Sequence, residues 1–178
     1  MRSTVFILVV SGALIGLLIA ANRAAPPSGT ALRLRDLNRY VRITEQPYEM
    51  HDSTILYCKQ TDEVALNPHE PARPEKAFCH VYVNDKAKEP MLSGKGNYPE
   101  GAIVIKSKLA TVDSQQPLLF TVMEKMAEGY DSDRGNWKYT VIDGTSYRQV
   151  ASGRIDSCID CHSLYKQTDY ITREYLKP

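Results

Sequence analysis

The sequence has no charge excess, no internal repeat and no run of one sign. Of its 178 residues, 22 are Lys or Arg and 21 are Asp or Glu, a formal net charge of +1. Basic and acidic residues are interspersed, so no basic stripe exists to follow a phosphate backbone, and nucleic acid is excluded as a partner. Low-complexity sequence is confined to one short "PPSG" linker, so repeat architectures and disordered tails are excluded for the remainder. There are only four cysteines: Cys58, Cys79, Cys158 and Cys161. Neither methionine nor histidine occurs after His162, and the final stretch from Ser157 to Leu176 contains no Gly or Pro.

What is present begins with "MRSTVFILVVSGALIGLLIAANRAAPPSGT". One arginine precedes an uncharged run from Thr4 to Ala21, followed by small residues and prolines, the layout of a secretory signal. The run is about 18 residues, the short edge of what spans a bilayer, so an uncleaved anchor through residues 4–21 is the alternative. Residues 1–25 are therefore read as signal peptide or N-terminal anchor, 26–31 as linker, and 32–178 as one domain with a single core. Either reading exports the domain across a bacterial inner membrane into the periplasm. In an exported chain, cysteines point to covalent use.

In "LRLRDLNRYVRI", Leu34, Leu37 and Val41 recur at helical spacing, which predicts a short helix running into an extended piece. "DSTILYC" (52–58) reads as a strand, and the proline-rich, charged stretch after it as a surface loop. Four segments rich in branched and aromatic residues follow, at 77–84, 101–109, 118–126 and 136–143, each bounded by turn residues. Between the first two, "DKAKEPMLSG" reads as a helical turn or short helix. The later spacings are too short for helical crossovers, so the strands pair antiparallel. Residues after 156 read as helical at first. The expected fold class is α+β: an antiparallel β-sheet core with flanking helices and a C-terminal CxxCH segment.

That segment is "SCIDCHS" (157–163). Two thiols three positions apart can add to the two vinyl groups on one porphyrin edge. The adjoining His162 then lies under the iron as proximal ligand. The reading is a single covalent haem c on Cys158 and Cys161. Three alternatives compete. A thioredoxin-like CxxC belongs at the start of a helix in a βαβ unit, which this sequence lacks. A zinc site would recruit Cys58, Cys79 or His80, yet adjacent Cys161 and His162 strain tetrahedral ligation by both. A Cys158–Cys161 disulfide would close too small a loop to stabilise much. Only sixteen residues follow His162. A sixth iron ligand must come from Met50, Met91, Met123, Met126, His51, His69 or His80, and a strand Met is more often core packing. Five-coordinate iron with an open distal face is the expectation, a site suited to small-molecule binding or chemistry.

"NYPEGAIVIKSKL", "GYDSDRGNWKYTVID" and "SCIDCHSLYKQTDYITREYL", in that order and spacing, resemble the cytochrome P-460 family and its relative cytochrome c′-beta. The resemblance runs from about Val81 to Leu176. It implies an antiparallel sheet carrying pentacoordinate haem c, often as a homodimer. The P-460 type carries a lysine bonded to the macrocycle and oxidises hydroxylamine. The c′-beta type lacks that bond, has an apolar distal pocket and binds nitric oxide or carbon monoxide. The position of the cross-linking lysine is Lys106. Alternation alone places Val104, Lys106 and Lys108 on one strand face and Ile103, Ile105 and Leu109 on the other, which also fits two solvated lysines. The distal carboxylate of the catalytic members, a general base for hydroxylamine, falls here on Thr121. Glu124, the nearest carboxylate, points to the opposite face of a regular strand.

The same logic makes Trp137 and Tyr139 a core pair with Lys138 pointing away, and Asp160 solvated. Phe120 is either an apolar lid over the haem or core. Cys58 and Cys79 are either a disulfide stapling the proline-rich loop or two buried apolar residues. Three functions remain open: a hydroxylamine-oxidising enzyme tuned by Lys106, a non-catalytic gas-binding cytochrome, and an electron carrier with an upstream Met ligand. The redox partner protein is not legible.

Overall fold

The computed structural model describes residues 34–50 and 76–176. The expected signal or anchor segment and linker, the strand expected at 52–58, and Cys58, His51 and His69 lie outside the described residues. Among the described residues no helix is long and apolar enough to cross a membrane.

Alternating apolar residues dictate the central element. Strands β3 (Phe78–Val83), β4 (Ile103–Leu109), β5 (Leu119–Lys125), β6 (Trp137–Asp143) and β7 (Gln149–Gly153) form an antiparallel meander in sequence order. Two short strands, β1 (Val41–Arg42) and β2 (Tyr48–Glu49), pair in turn along the outer edge of β3, making seven strands in one sheet. With helices α1 (Asp85–Ser93) and α2 (Asp156–His162), the architecture is α+β with an antiparallel sheet, as the sequence implies.

Register decides which residues share a face. Val81, Lys106, Thr121, Val141 and Ala151 form one row across the sheet, and Tyr82, Ile105, Val122, Thr140 and Ser152 the row beside it, facing the other way. The first face carries the larger core: Cys79, Val81, Val83, Val104, Met123, Trp137 and Tyr139 pack with Met91 of α1, Ile159 of α2, Tyr170 and Ile171. The second face has a smaller cluster of Ile105, Phe120, Val122 and Ile142, covered by Leu34. Both faces are therefore buried, so neither face of β4 is simply the wet one.

The ends of α1 follow capping chemistry. Asn84 accepts from the Ala87 N–H at 3.1 Å and from the Ile103 N–H at 2.9 Å, joining the helix start to β4. At the other end, left-handed Gly94 stops the helix. Arg173 from the C-terminal segment donates to the terminal carbonyls of Met91 and Leu92, both at 2.8 Å.

The short helix running into an extended piece expected in residues 32–43 is present, in the described part, as a 3₁₀ turn at Leu37–Arg39 followed by Val41 and Arg42, which pair with Val83 and Tyr82. The C-terminal segment is helical at first, as expected: it is α-helical to His162, continues as 3₁₀ turns over Ser163–Thr168, and breaks at Asp169.

Candidate functional site

Helix α2 lies across the first sheet face, and its Cys-x-x-Cys-His spacing determines what it presents. Positions i, i+3 and i+4 fall on one helical face, so Cys158, Cys161 and His162 open together into one cleft. Its opposite wall is the sheet: Val81, Val104, Lys106, Thr121, Met123 and Tyr139. The C-terminal segment supplies Tyr165, Ile171, Thr172 and Tyr175. Apart from Lys106, His162 and the hydroxyls, the lining is apolar, and no carboxylate is among the described residues that line it.

His162 is oriented from behind. Its Nδ1 lies 2.6 Å from the Tyr170 carbonyl oxygen. A carbonyl only accepts, so Nδ1 carries the proton and Nε2 keeps its lone pair. Tyr139 packs on the imidazole with ring centroids 5.5 Å apart. Burial pushes the His162 pKa down to about 4, helped by the Lys106 charge and opposed by the Tyr170 carbonyl. The side chain is thus a neutral imidazole with one lone pair available, the state a metal ligand requires. Burial likewise raises the Tyr139 phenol well above its ordinary value, with the thiols of Cys158 and Cys161 and the Asp131 carboxylate adding to it.

The Tyr170 carbonyl is itself held in place. Asp169 (φ 52°) and Tyr170 (φ 65°) are consecutive left-handed residues, neither of them glycine. Such positions cost on the order of 1–3 kcal/mol each and persist only where surroundings fix them. Here the Asp169 carboxylate accepts from Lys125 Nζ at 2.6 and 2.7 Å and from the Tyr98 N–H at 2.8 Å. Its carbonyl accepts from Trp137 Nε1 at 2.9 Å, and the Tyr170 hydroxyl donates to the Asp133 carbonyl at 2.9 Å. Gly135 (φ 72°) lies directly beneath: a Cβ there would sit 2.6 Å from the Tyr170 ring. One residue from each of the three resembling segments (Tyr98, Trp137 and Asp169) meets in this knot.

The structure therefore brings Lys106, Cys158, Cys161 and His162 to one cleft. The reading of Lys106 as a solvated lysine on an outer face is corrected, because that face is covered by α2 and the C-terminal segment. Thr121 is the cross-strand partner of Lys106, whereas Glu124 points away and pairs with Lys138 at 2.6 Å. Phe120 is not a lid: it lies on the second face, stacked on Tyr147 at 5.8 Å. Trp137 and Tyr139 are core, and Asp160 is exposed. Among the upstream ligand candidates, Met50 and Met91 are buried in the core, His80 faces the second side beside Thr44, and Met123 lines the cleft. Cys79 is buried on the first face. His80 and the α2 thiols are on opposite sides of the sheet, so His80 is not placed to join them on a zinc ion; the antiparallel meander of the described residues likewise lacks a βαβ unit.

Sequence reasoning missed Lys125, Asp169 and Tyr170, and also Tyr165, Thr172 and Tyr175 in the lining.

The donor set fits one haem on this helix: two thiols on one edge, one neutral imidazole with Nε2 available, and an apolar wall opposite. A comparison with curated proteins finds no match. The family model described as cytochrome P-460 matches residues 57–173, two-thirds of the sequence. The chain belongs to the cytochrome P-460 family, and is a haem protein of the P-460 and c′-beta kind.

Proposed function

We propose that this member of the cytochrome P-460 family is an exported monohaem cytochrome c whose iron binds or transforms small nitrogen species on an open face. Cys158 and Cys161 would hold the haem as thioethers, and His162 Nε2 would ligate the iron. The observation that carries this reading is the cleft itself, which gathers the CxxCH side chains and Lys106 against an otherwise apolar wall. When bound, the haem supplies an iron centre able to coordinate a small ligand and exchange electrons. The chain's own groups do the rest. Tyr170 fixes the imidazole tautomer through its carbonyl, and Tyr139 closes one side of the ring. The apolar lining limits water at the site.

Between catalysis and binding, the lining favours binding of an uncharged ligand such as nitric oxide or carbon monoxide. A base for hydroxylamine is missing where the resemblance would put it, since Thr121 occupies the position and Glu124 is engaged behind the sheet. Lys106 keeps the hydroxylamine-oxidising reading open, because its side chain reaches the same cleft. An electron-carrier reading has one observation in its favour, Met123 in the lining. Met123, however, is the cross-strand neighbour of Tyr139, the ring packed on His162, which suits a packing role. Periplasmic location, export by the N-terminal segment, homodimer formation and an unidentified redox partner protein belong to the same proposal.

The test is the ferrous absorption spectrum of protein matured in a host that attaches haem c. A Soret band far to the red indicates Lys106 bonded to the macrocycle and hydroxylamine oxidation as the activity. An ordinary high-spin band with nitric oxide uptake indicates the binding protein. A low-spin resting spectrum would overturn the open-face reading.

A further inference from the structure

The Lys125–Asp169 ion pair is the most fully enclosed in the described part of the molecule, with side-chain exposures of 12% and 6%. Neither residue lines the cleft, and Lys125 is far in sequence from the haem motif. We infer that this pair is the positioning device of the proximal histidine: it holds the Tyr170 carbonyl against His162 Nδ1, and so sets which imidazole nitrogen is offered and how strongly it donates. The inference rests on the reading of His162 as iron ligand.

The argument is geometric. The Tyr170 carbonyl can accept from Nδ1 only while residues 169 and 170 stay left-handed, a conformation without glycine to ease it. Four bonds converge on Asp169 to hold it there. Lys125 Nζ takes both carboxylate oxygens, the Tyr98 N–H takes one of them as well, and Trp137 Nε1 takes the carbonyl. Lys125 is also fixed in direction, its Nζ lying 4.9 Å from the Trp137 ring centroid. Because Lys125 ends β5 and Trp137 begins β6, the sheet registers the C-terminal turn directly. A pair needed only to anchor the segment would not have to reach its strained point. Arg173, bonded to the Met91 and Leu92 carbonyls of α1, already anchors the same segment elsewhere. The Tyr170 carbonyl is the group one bond removed from the imidazole, and loss of such a partner typically changes metal affinity 10–100-fold; the ion pair acts by holding that carbonyl in place.

The test uses the haem-loaded protein in its diamagnetic ferrous carbon monoxide form. Asp169→Asn is the main variant, since Asn tolerates the left-handed region and keeps an acceptor for the Tyr98 N–H, losing chiefly the charge that holds Lys125. Two readouts are taken: the solvent-exchange rate of the His162 Nδ1–H resonance, and the midpoint potential of the carbon monoxide-free protein. The expected result is at least tenfold faster Nδ1–H exchange and a potential raised by about 59 mV, the one-electron equivalent of a tenfold change. Lys125→Arg, which keeps the positive charge and offers it as a forked guanidinium, should stay within twofold of the parent in exchange rate. Should Asp169→Asn not accumulate as folded protein, Trp137→Phe removes a single donor from the Asp169 carbonyl and is read the same way. Lowered thermal stability with unchanged exchange and potential would overturn the inference, leaving the pair as an anchor only. A parent protein with covalent haem but no His162 Nδ1–H resonance would instead refute the ligand assignment, so the two failures are distinguishable.

Discussion

Substituting Gly135 by alanine tests whether the knot behind the haem motif is as tight as its geometry implies. Gly135 has φ 72°, and an added Cβ would lie 2.6 and 2.7 Å from Tyr170 ring carbons and 3.1 Å from an Asp169 carboxylate oxygen. The left-handed backbone alone costs an alanine about 1–2 kcal/mol. Displacing the ring adds about 1–3 kcal/mol of overpacking, since its hydroxyl is tied to Asp133 and cannot swing freely. The sum is about 2–5 kcal/mol, or a fall in Tm of about 4–20 °C for a domain of this size. Gly96→Ala supplies the control, because Gly96 has φ 79° and an alanine methyl there would meet nothing within 4 Å. Backbone strain and the smaller unfolded-state entropy act alike in both variants, so their difference isolates the contact with Tyr170. The assay is thermal unfolding of the two variants side by side. Equal losses at Gly135 and Gly96 would refute the reasoning, because they would show that the Tyr170 ring yields without cost.

Four further outcomes are expected. Cys158→Ser with Cys161→Ser abolishes haem that survives a denaturing gel, which haem staining checks. Lys106→Leu keeps the cleft filled but removes its cation; any far-red Soret band of the parent is lost, while nitric oxide uptake persists in a spectroscopic titration. Thr121→Glu places a carboxylate beside Lys106 and raises hydroxylamine turnover over the parent, whereas Glu124→Gln, behind the sheet, leaves it unchanged in the same assay. Asp143→Ala removes the acceptor of the β6–β7 turn, where burial alone would raise the carboxyl pKa but bonds from Ser146 and Thr145 and the charge of Arg148 outweigh it and lower it. A depressed carboxyl stabilises the fold above its unfolded pKa near 3.8 and loses that contribution as pH falls through the folded value. The variant's deficit in Tm is therefore full at pH 7 and shrinks below pH 4.

The strands at 78–83, 103–109, 119–125 and 137–143 were legible because branched and aromatic residues alternate between turn residues. β7 was not: Val150 and Ala151 are its only apolar side chains, and it is a half-exposed edge. β2 is two residues long and owes its form to β3. The proposed haem-binding residues were legible because their chemistry is contiguous in sequence. Lys106 illustrates the limit of alternation, which says which residues share a face but not which face is covered. With clusters on both sides of the sheet, the alternation around Lys106, which taken alone favoured a wet lysine, did not reveal the half-buried one that lines the cleft. Asp169 left no trace at all, since a left-handed aspartate is set by partners 32 to 71 residues away.

That long-range dependence explains how a local motif becomes a specific site. The CxxCH helix by itself aligns two thiols and an imidazole, but nothing within it chooses between the two ring nitrogens. The choice is made by the Tyr170 carbonyl, eight residues on, which is aimed by Asp169. Asp169 is in turn fixed by Tyr98 before β4, Lys125 at the end of β5 and Trp137 at the start of β6. The turn's conformation therefore depends on the paired sheet, and the orientation of His162 depends on the turn. On the proposed function, attachment of a haem to the thiols would require only the local motif. A single lone pair directed at its iron would require the whole meander, so substitutions in the knot should separate the two, leaving covalent haem in place while altering the ligand that faces it.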